Sequence, residues 1–104
     1  MTLNLANNEI SSLNSLNKDY PDSEENPKWK CLTFLNLSDN KITELVSVKA
    51  PNLKELNLNN NDIKRLDKFE GHENLEELVL SNNQITDSSK LKNMPNLKRV
   101  YLVK

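Results

Sequence analysis

Two carboxylates, Glu55 and Glu77, occupy equivalent places in two similar stretches, residues 53–63 and 75–85. If those stretches stack side by side as strands, the acids stand about 5 Å apart. That is near the separation at which a retaining glycosidase uses one carboxylate as nucleophile and the other as acid and base. Such chemistry also needs a closed pocket to raise one pKa, and no His, Gly-rich loop or nucleophile constellation accompanies this pair. The chain holds one Cys, Cys31, and one His, His72. A single Cys excludes an internal disulfide and a multi-Cys metal site, and a single His excludes a His pair as metal ligands. The sequence therefore points away from an enzyme and implies neither metal nor cofactor.

The elements that would position these side chains follow from one repeated pattern. Residues 53–63 read Leu53, Leu56, Leu58, Asn61, Ile63; the same spacing gives Leu32, Leu35, Leu37, Asn40, Ile42 and Leu75, Leu78, Leu80, Asn83, Ile85. A partial copy opens the chain (Leu3, Leu5, Asn8, Ile10) and another closes it (Leu97, Val100, Leu102). The second and third leucines are two apart, the strand period, so both face one side. Three residues on, an Asn marks a sharp turn, where a side-chain amide carries donors and an acceptor for backbone groups that leave the ladder. Apolar residues then recur at a spacing of three (Ile42, Leu45, Val48; Ile63, Leu66, Phe69), which suits a short, tight helical turn packing inward. In the fourth coil Ser88 interrupts this spacing, and a looser turn is expected there.

Asn40 and Asn61 are 21 residues apart, Asn61 and Asn83 are 22 apart. This period and motif mark a leucine-rich repeat. The chain resembles the 22-residue class, which includes a regulatory subunit of protein phosphatase 1, an axonemal dynein light chain and a spliceosomal A-prime protein. The resemblance implies an α/β repeat: a right-handed leucine-rich repeat solenoid with a parallel concave sheet of about five short strands and 3₁₀ or irregular convex segments. It also implies action by holding a partner. The expected organisation is one domain over residues 1–104, with coils beginning near 1, 32, 53, 75 and 97. A surface loop is inserted at residues 17–28, which is polar with two prolines and four acids; a mobile excursion and a partner-contacting loop both remain open for it. In such repeats the column three before the first Leu packs inward. It holds Trp29, Ala50, His72 and Met94, so Trp29 is expected to close the core, against the alternative of a binding anchor, and His72 to be a partly buried, hydrogen-bonded imidazole. Cys31 shares a turn position with Asn52, Asn74 and Asn96, with no basic cluster to activate it.

Charged residues make up 28% of the chain and leave a net charge of −1, so no clustered basic footprint for nucleic acid is expected. No apolar stretch nears the ~20 residues of a membrane span. The first residues lack a basic segment followed by an apolar run; an intracellular, cytoplasmic protein is expected, with nucleus or axoneme open. Both ends are cut inside the pattern, without the polar caps that close a solenoid. Self-association through uncapped ends follows as an expectation.

Function, on this reading, is a protein contact on the concave face. One column there carries Phe34, Glu55, Glu77 and Arg99; the next carries Asn4, Asn36, Asn57, Val79 and Tyr101; a third ends on Val103. Val79, Tyr101 and Val103 compose either a contact patch or strand formers stabilising one another. Glu55 and Glu77 compose either an acidic strip for a partner's cation or a face compensated by Lys54, Lys98 and Arg99. The expected site is Phe34, Glu55, Asn57, Glu77, Val79, Arg99, Tyr101 and Val103, for a protein partner. The alternative is a structural segment of a larger repeat assembly with no binding of its own.

Overall fold

The computed structural model of the chain describes residues 2–13, 28–48, 50–66, 69–86, 91 and 94–102. Five three-residue strands form where the paired leucines fall: β1 (Thr2–Asn4), β2 (Phe34–Asn36), β3 (Glu55–Asn57), β4 (Glu77–Val79) and β5 (Arg99–Tyr101). They pair in parallel, in chain order, as one sheet. The register advances one coil per strand, aligning Leu3, Leu35, Leu56, Leu78 and Val100. In β2, β3 and β4 the central leucine is buried and its neighbours are half-buried, the alternation that a strand period of two requires. One helical turn, α1 (Lys28–Cys31), precedes β2. Among the described residues no helix is long and apolar enough to cross a membrane.

Each coil contributes the same set to one core: Leu32, Leu35, Leu37, Ile42 and Leu45, then Leu53, Leu56, Leu58, Ile63 and Leu66, then Leu75, Leu78 and Leu80. The Asn ladder locks neighbouring coils together. The Asn61 amide donates to Leu58 and Asn59 carbonyls in its own turn and to the Leu37 carbonyl of the preceding coil, while its oxygen accepts from the Ile42 N–H. Asn40 and Asn83 repeat this arrangement one coil to either side. Asn8, in the first coil, bonds only to Leu5 and Ala6 of its own turn among the described residues.

A second Asn column enters each coil. Ala50 to Leu53, His72 to Leu75 and Met94 to Leu97 are β-turns, closed by bonds of 3.1, 3.4 and 3.1 Å. Pro51 and Pro95 sit second in their turns, where a fixed φ suits the geometry. Third come Asn52, Asn74 and Asn96, whose amides reach back to the carbonyls of Lys30, Pro51 and Glu73.

The convex segments follow the spacing of three only in part. Leu45, Val48, Leu66 and Phe69 pack inward; the Phe69 N–H closes a tight turn on the Leu66 carbonyl at 3.1 Å, whereas the segment from Ile42 to Val48 is irregular. The backbone bonds run between coils instead: Leu45 N–H to Arg65 carbonyl, Lys64 N–H to Thr43 carbonyl, with a parallel bridge from Glu44 to Arg65. The Leu45 N–H, spent on the neighbouring coil, cannot also close a turn within its own. Further along, Gly71 at φ 89° permits a bend closed to other residues. Ser47 of the preceding coil pins it, its hydroxyl donating to the Gly71 carbonyl and accepting from the Glu70 N–H. Residues 17–27 of the predicted insertion and the Ser88 turn lie outside the described residues, as does the side chain of Trp29.

One column escaped the sequence reading. Asn7, Asp39, Asn60 and Asn82 all adopt left-handed backbone, with φ of 57–58°, just before the ladder Asn. This conformation costs most residues about 1–2 kcal/mol, and Asn and Asp tolerate it best. Asn60→Val is expected to lower stability by about that amount, whereas Asn60→Gly, free in this region, retains most of it. Thermal melts of the pair decide: equal losses would show that the bond from Asn60 to Asp39, rather than the backbone, matters.

Candidate functional site

The sheet register places the expected site residues on its outer face. Phe34, Glu55, Glu77 and Arg99 align across β2 to β5, and Asn4, Asn36, Asn57, Val79 and Tyr101 align beside them. Neighbours in such columns stand about 4.8 Å apart. Phe34, Glu55, Asn57, Glu77 and Val79 are half-buried, while Arg99 and Tyr101 are exposed. Val103 lies outside the described residues. Tyr101 is 41% exposed, and Val100 and Leu102 beside it are each 39% exposed, so apolar surface concentrates at β5.

Charge on this face is only partly compensated. The Arg99 Nε lies 3.5 Å from the Glu77 carboxylate, and Lys98 lies 3.2 Å from Glu76. Both are exposed pairs of the kind that contribute about 0–1 kcal/mol. Lys54, expected to share in this compensation, forms no ion pair among the described residues. Glu55 has neither ion pair nor side-chain hydrogen bond among them, with Phe34 on one side and Glu77 on the other.

The Asn column is built differently from a merely solubilising one. The side-chain oxygens of Asn4, Asn36 and Asn57 accept from the backbone N–H two residues on, at 3.0, 3.0 and 2.9 Å. Each is an Asx turn that ends its strand. The signal was available: an Asn at the last strand position in three successive coils. Tying down the oxygen leaves the amide nitrogen as the group free to act outward, and none of the three has a partner among the described residues.

The other chemistry-bearing residues stand apart from this face. Cys31 is exposed at the end of α1. His72 is buried and its Nε2 has no hydrogen-bond partner among the described residues, which corrects the expectation of a partly buried, hydrogen-bonded ring. Its ring lies tilted at 49° to Phe69, centroids 5.7 Å apart, and burial lowers its pKa to about 4. A hollow of about 510 Å³ lies off the sheet, lined by Thr43, Glu44, Asp62, Lys64, Arg65 and Gln84. All six lining residues are polar or charged types, in contrast to the hydrophobic and aromatic residues that predominate in small-molecule sites. Glu55 and Glu77 stand on an open sheet and line neither this hollow nor its smaller neighbour beside Ser11.

A family model described as Leucine Rich repeats (2 copies) matches residues 30–71 and again residues 73–104. The two matches together span more than half of the chain. No curated protein and no solved structure matches it.

Proposed function

The chain belongs to the leucine-rich repeat family, and from that premise we propose that it is a non-catalytic recognition module holding a partner protein on the concave face of its sheet. Repeats of this family are generally protein-interaction modules, and domains built from them are typically non-catalytic. The observation that carries the reading is the pairing of Val79 with the exposed Tyr101, rimmed by Glu77 and Arg99. An aromatic side chain beside aliphatic surface is the composition from which interface anchors are drawn.

The test follows from that geometry. With a partner recovered by pull-down, Tyr101→Ala is expected to weaken binding at least tenfold, about 1.4 kcal/mol or more, while the melting curve stays cooperative. Glu77→Lys is expected to change the salt dependence of association instead. Lys64→Ala, beside the off-sheet hollow, is expected to do neither. An effect of Lys64→Ala without one of Tyr101→Ala would place the contact on the other side of the coils.

A second reading, a structural segment of a larger repeat assembly, draws on the same end of the sheet. Val100 and Leu102 belong to columns that are buried in the inner coils yet are 39% exposed here, and an open strand edge invites pairing. Further coils or a second copy would both cover it. Light scattering at rising concentration separates the two, because only the second-copy arrangement increases the mass of the isolated chain.

A further inference from the structure

We infer that the segment held on the concave face is an extended stretch of protein carrying a Lys or Arg, with an apolar residue about three positions from it. This rests on the concave-face reading and adds the chemistry of what is held. Three observations carry it: the amide nitrogens of Asn4, Asn36 and Asn57, the unpaired Glu55, and the Val79–Tyr101 pair.

The Asn oxygens are occupied by their own Asx turns, so this column presents donors. A ligand that answers them must present acceptors. A helix spends its carbonyls on its own N–H groups, whereas an extended segment keeps them available. Glu55 sets the charge. It is half-buried and without a cation among the described residues, and it faces Glu77 across the β3–β4 pairing. Like charges directly opposite repel, and Arg99 serves Glu77 rather than Glu55. A cation from a partner fills that place and adds electrostatic steering. The same two carboxylates disfavour a nucleic-acid phosphate as the acceptor for the amides.

Spacing supplies the rest of the motif. Val79 lies one coil step across and two residues along from Glu55, about 8 Å, and Tyr101 two steps across and two residues along, about 12 Å, so the pair is centred about 10 Å away. An extended chain covers that distance in about three residues. A segment crossing the strands therefore sets its cation on Glu55 and its apolar side chain on Val79 and Tyr101; its carbonyls meet Asn57 on β3 and, where it continues beyond the cation in the other direction, Asn36 on β2.

The experiment is selection from a displayed library of random 12-residue peptides against the intact chain. Enriched peptides are expected to carry Lys or Arg with an apolar residue about three positions away. Glu55→Gln is expected to weaken them at least tenfold and to flatten their salt dependence. Asn57→Ser, which keeps a side-chain oxygen for the Asx-type turn but loses the amide, is expected to weaken them several-fold with an unchanged melting curve. Acidic or charge-indifferent peptides that respond to Tyr101→Ala but not to Glu55→Gln would overturn this inference and leave the concave-face reading standing. Peptides indifferent to Glu55, Asn57 and Tyr101 alike would overturn both. Failure to enrich any peptide would overturn the inference, with the pull-down variants still deciding the face.

Discussion

Asn61→Ala is expected to cost about 1–3 kcal/mol, a loss of roughly 5–15 °C in melting temperature for a domain of this size. The substitution leaves the Ile42 N–H without its acceptor and removes one of two amide donors from each of the buried Leu37 and Leu58 carbonyls, which Asn40 and Asn83 still serve. Each buried group left unpaired costs about 1–3 kcal/mol, and water replaces the partner only where the site opens. Two comparisons isolate the cause. Asn59→Ala, two residues earlier and half-buried, removes only a 3.5 Å bond from Asn82 and is expected to cost under about 1 kcal/mol. Asn8→Ala, exposed and bonded within its own turn, belongs with it. Denaturant melts of the three variants check this; equal losses at Asn61 and Asn59 would mean that the inter-coil amide is not what joins the coils.

Acid is expected to destabilise the protein through His72 before most carboxylates titrate. Burial lowers the His72 pKa from 6.5 to about 4, so the folded chain refuses a proton that the unfolded chain accepts. The stability held by neutral His72 is complete above pH 6.5. It falls as the pH drops towards 4, by about 1.4 kcal/mol per unit and about 3 kcal/mol in all. Carboxylates contribute to the lower part of this range, so the informative quantity is a difference. His72→Met borrows the residue that the next coil uses at the same position, Met94, and removes both the titration and the unpaired Nε2. It is expected to raise stability at neutral pH and to widen its advantage steadily from pH 6.5 to 4. Parallel stability curves for the two proteins would show that His72 takes up its proton without unfolding.

The inward set was legible because period two and a period of 21–22 residues agree over several coils, and each of the leucines so assigned in the three inner coils is buried. The ladder Asn was legible as a turn-satisfying amide. Its second office, reaching the Leu carbonyl of the preceding coil, was not, because spacing says which residues point inward and not where a freed backbone group finds its partner. The convex side was legible only in part, for the same reason. Leu45 and Val48 three apart fit a 3₁₀ turn and an extended segment equally well, and the bonds to the next coil chose the second. The outer columns were assigned to the right face by register alone. Which of the two acids there keeps a cation was not, since Arg99 reaches one carboxylate and leaves Glu55 alone. Spacing put Asn4, Asn36 and Asn57 in one column, but only the Asx turns show that half of each amide is already spent.

Strand order and chain order coincide, and each strand contacts only the strands before and after it. Among the described residues no clasp spans distant coils. Under tension applied at the two ends, the inter-coil seams are therefore loaded in series, and the chain yields like a spring that is pulled open rather than a lock that is sheared. Yielding starts at β5, whose three residues are all exposed, and each released coil pays out a length of about 22 residues, the spacing from Asn61 to Asn83. At about 3.5 Å per residue that is some 7–8 nm of slack per step, a sawtooth whose tooth is the repeat itself.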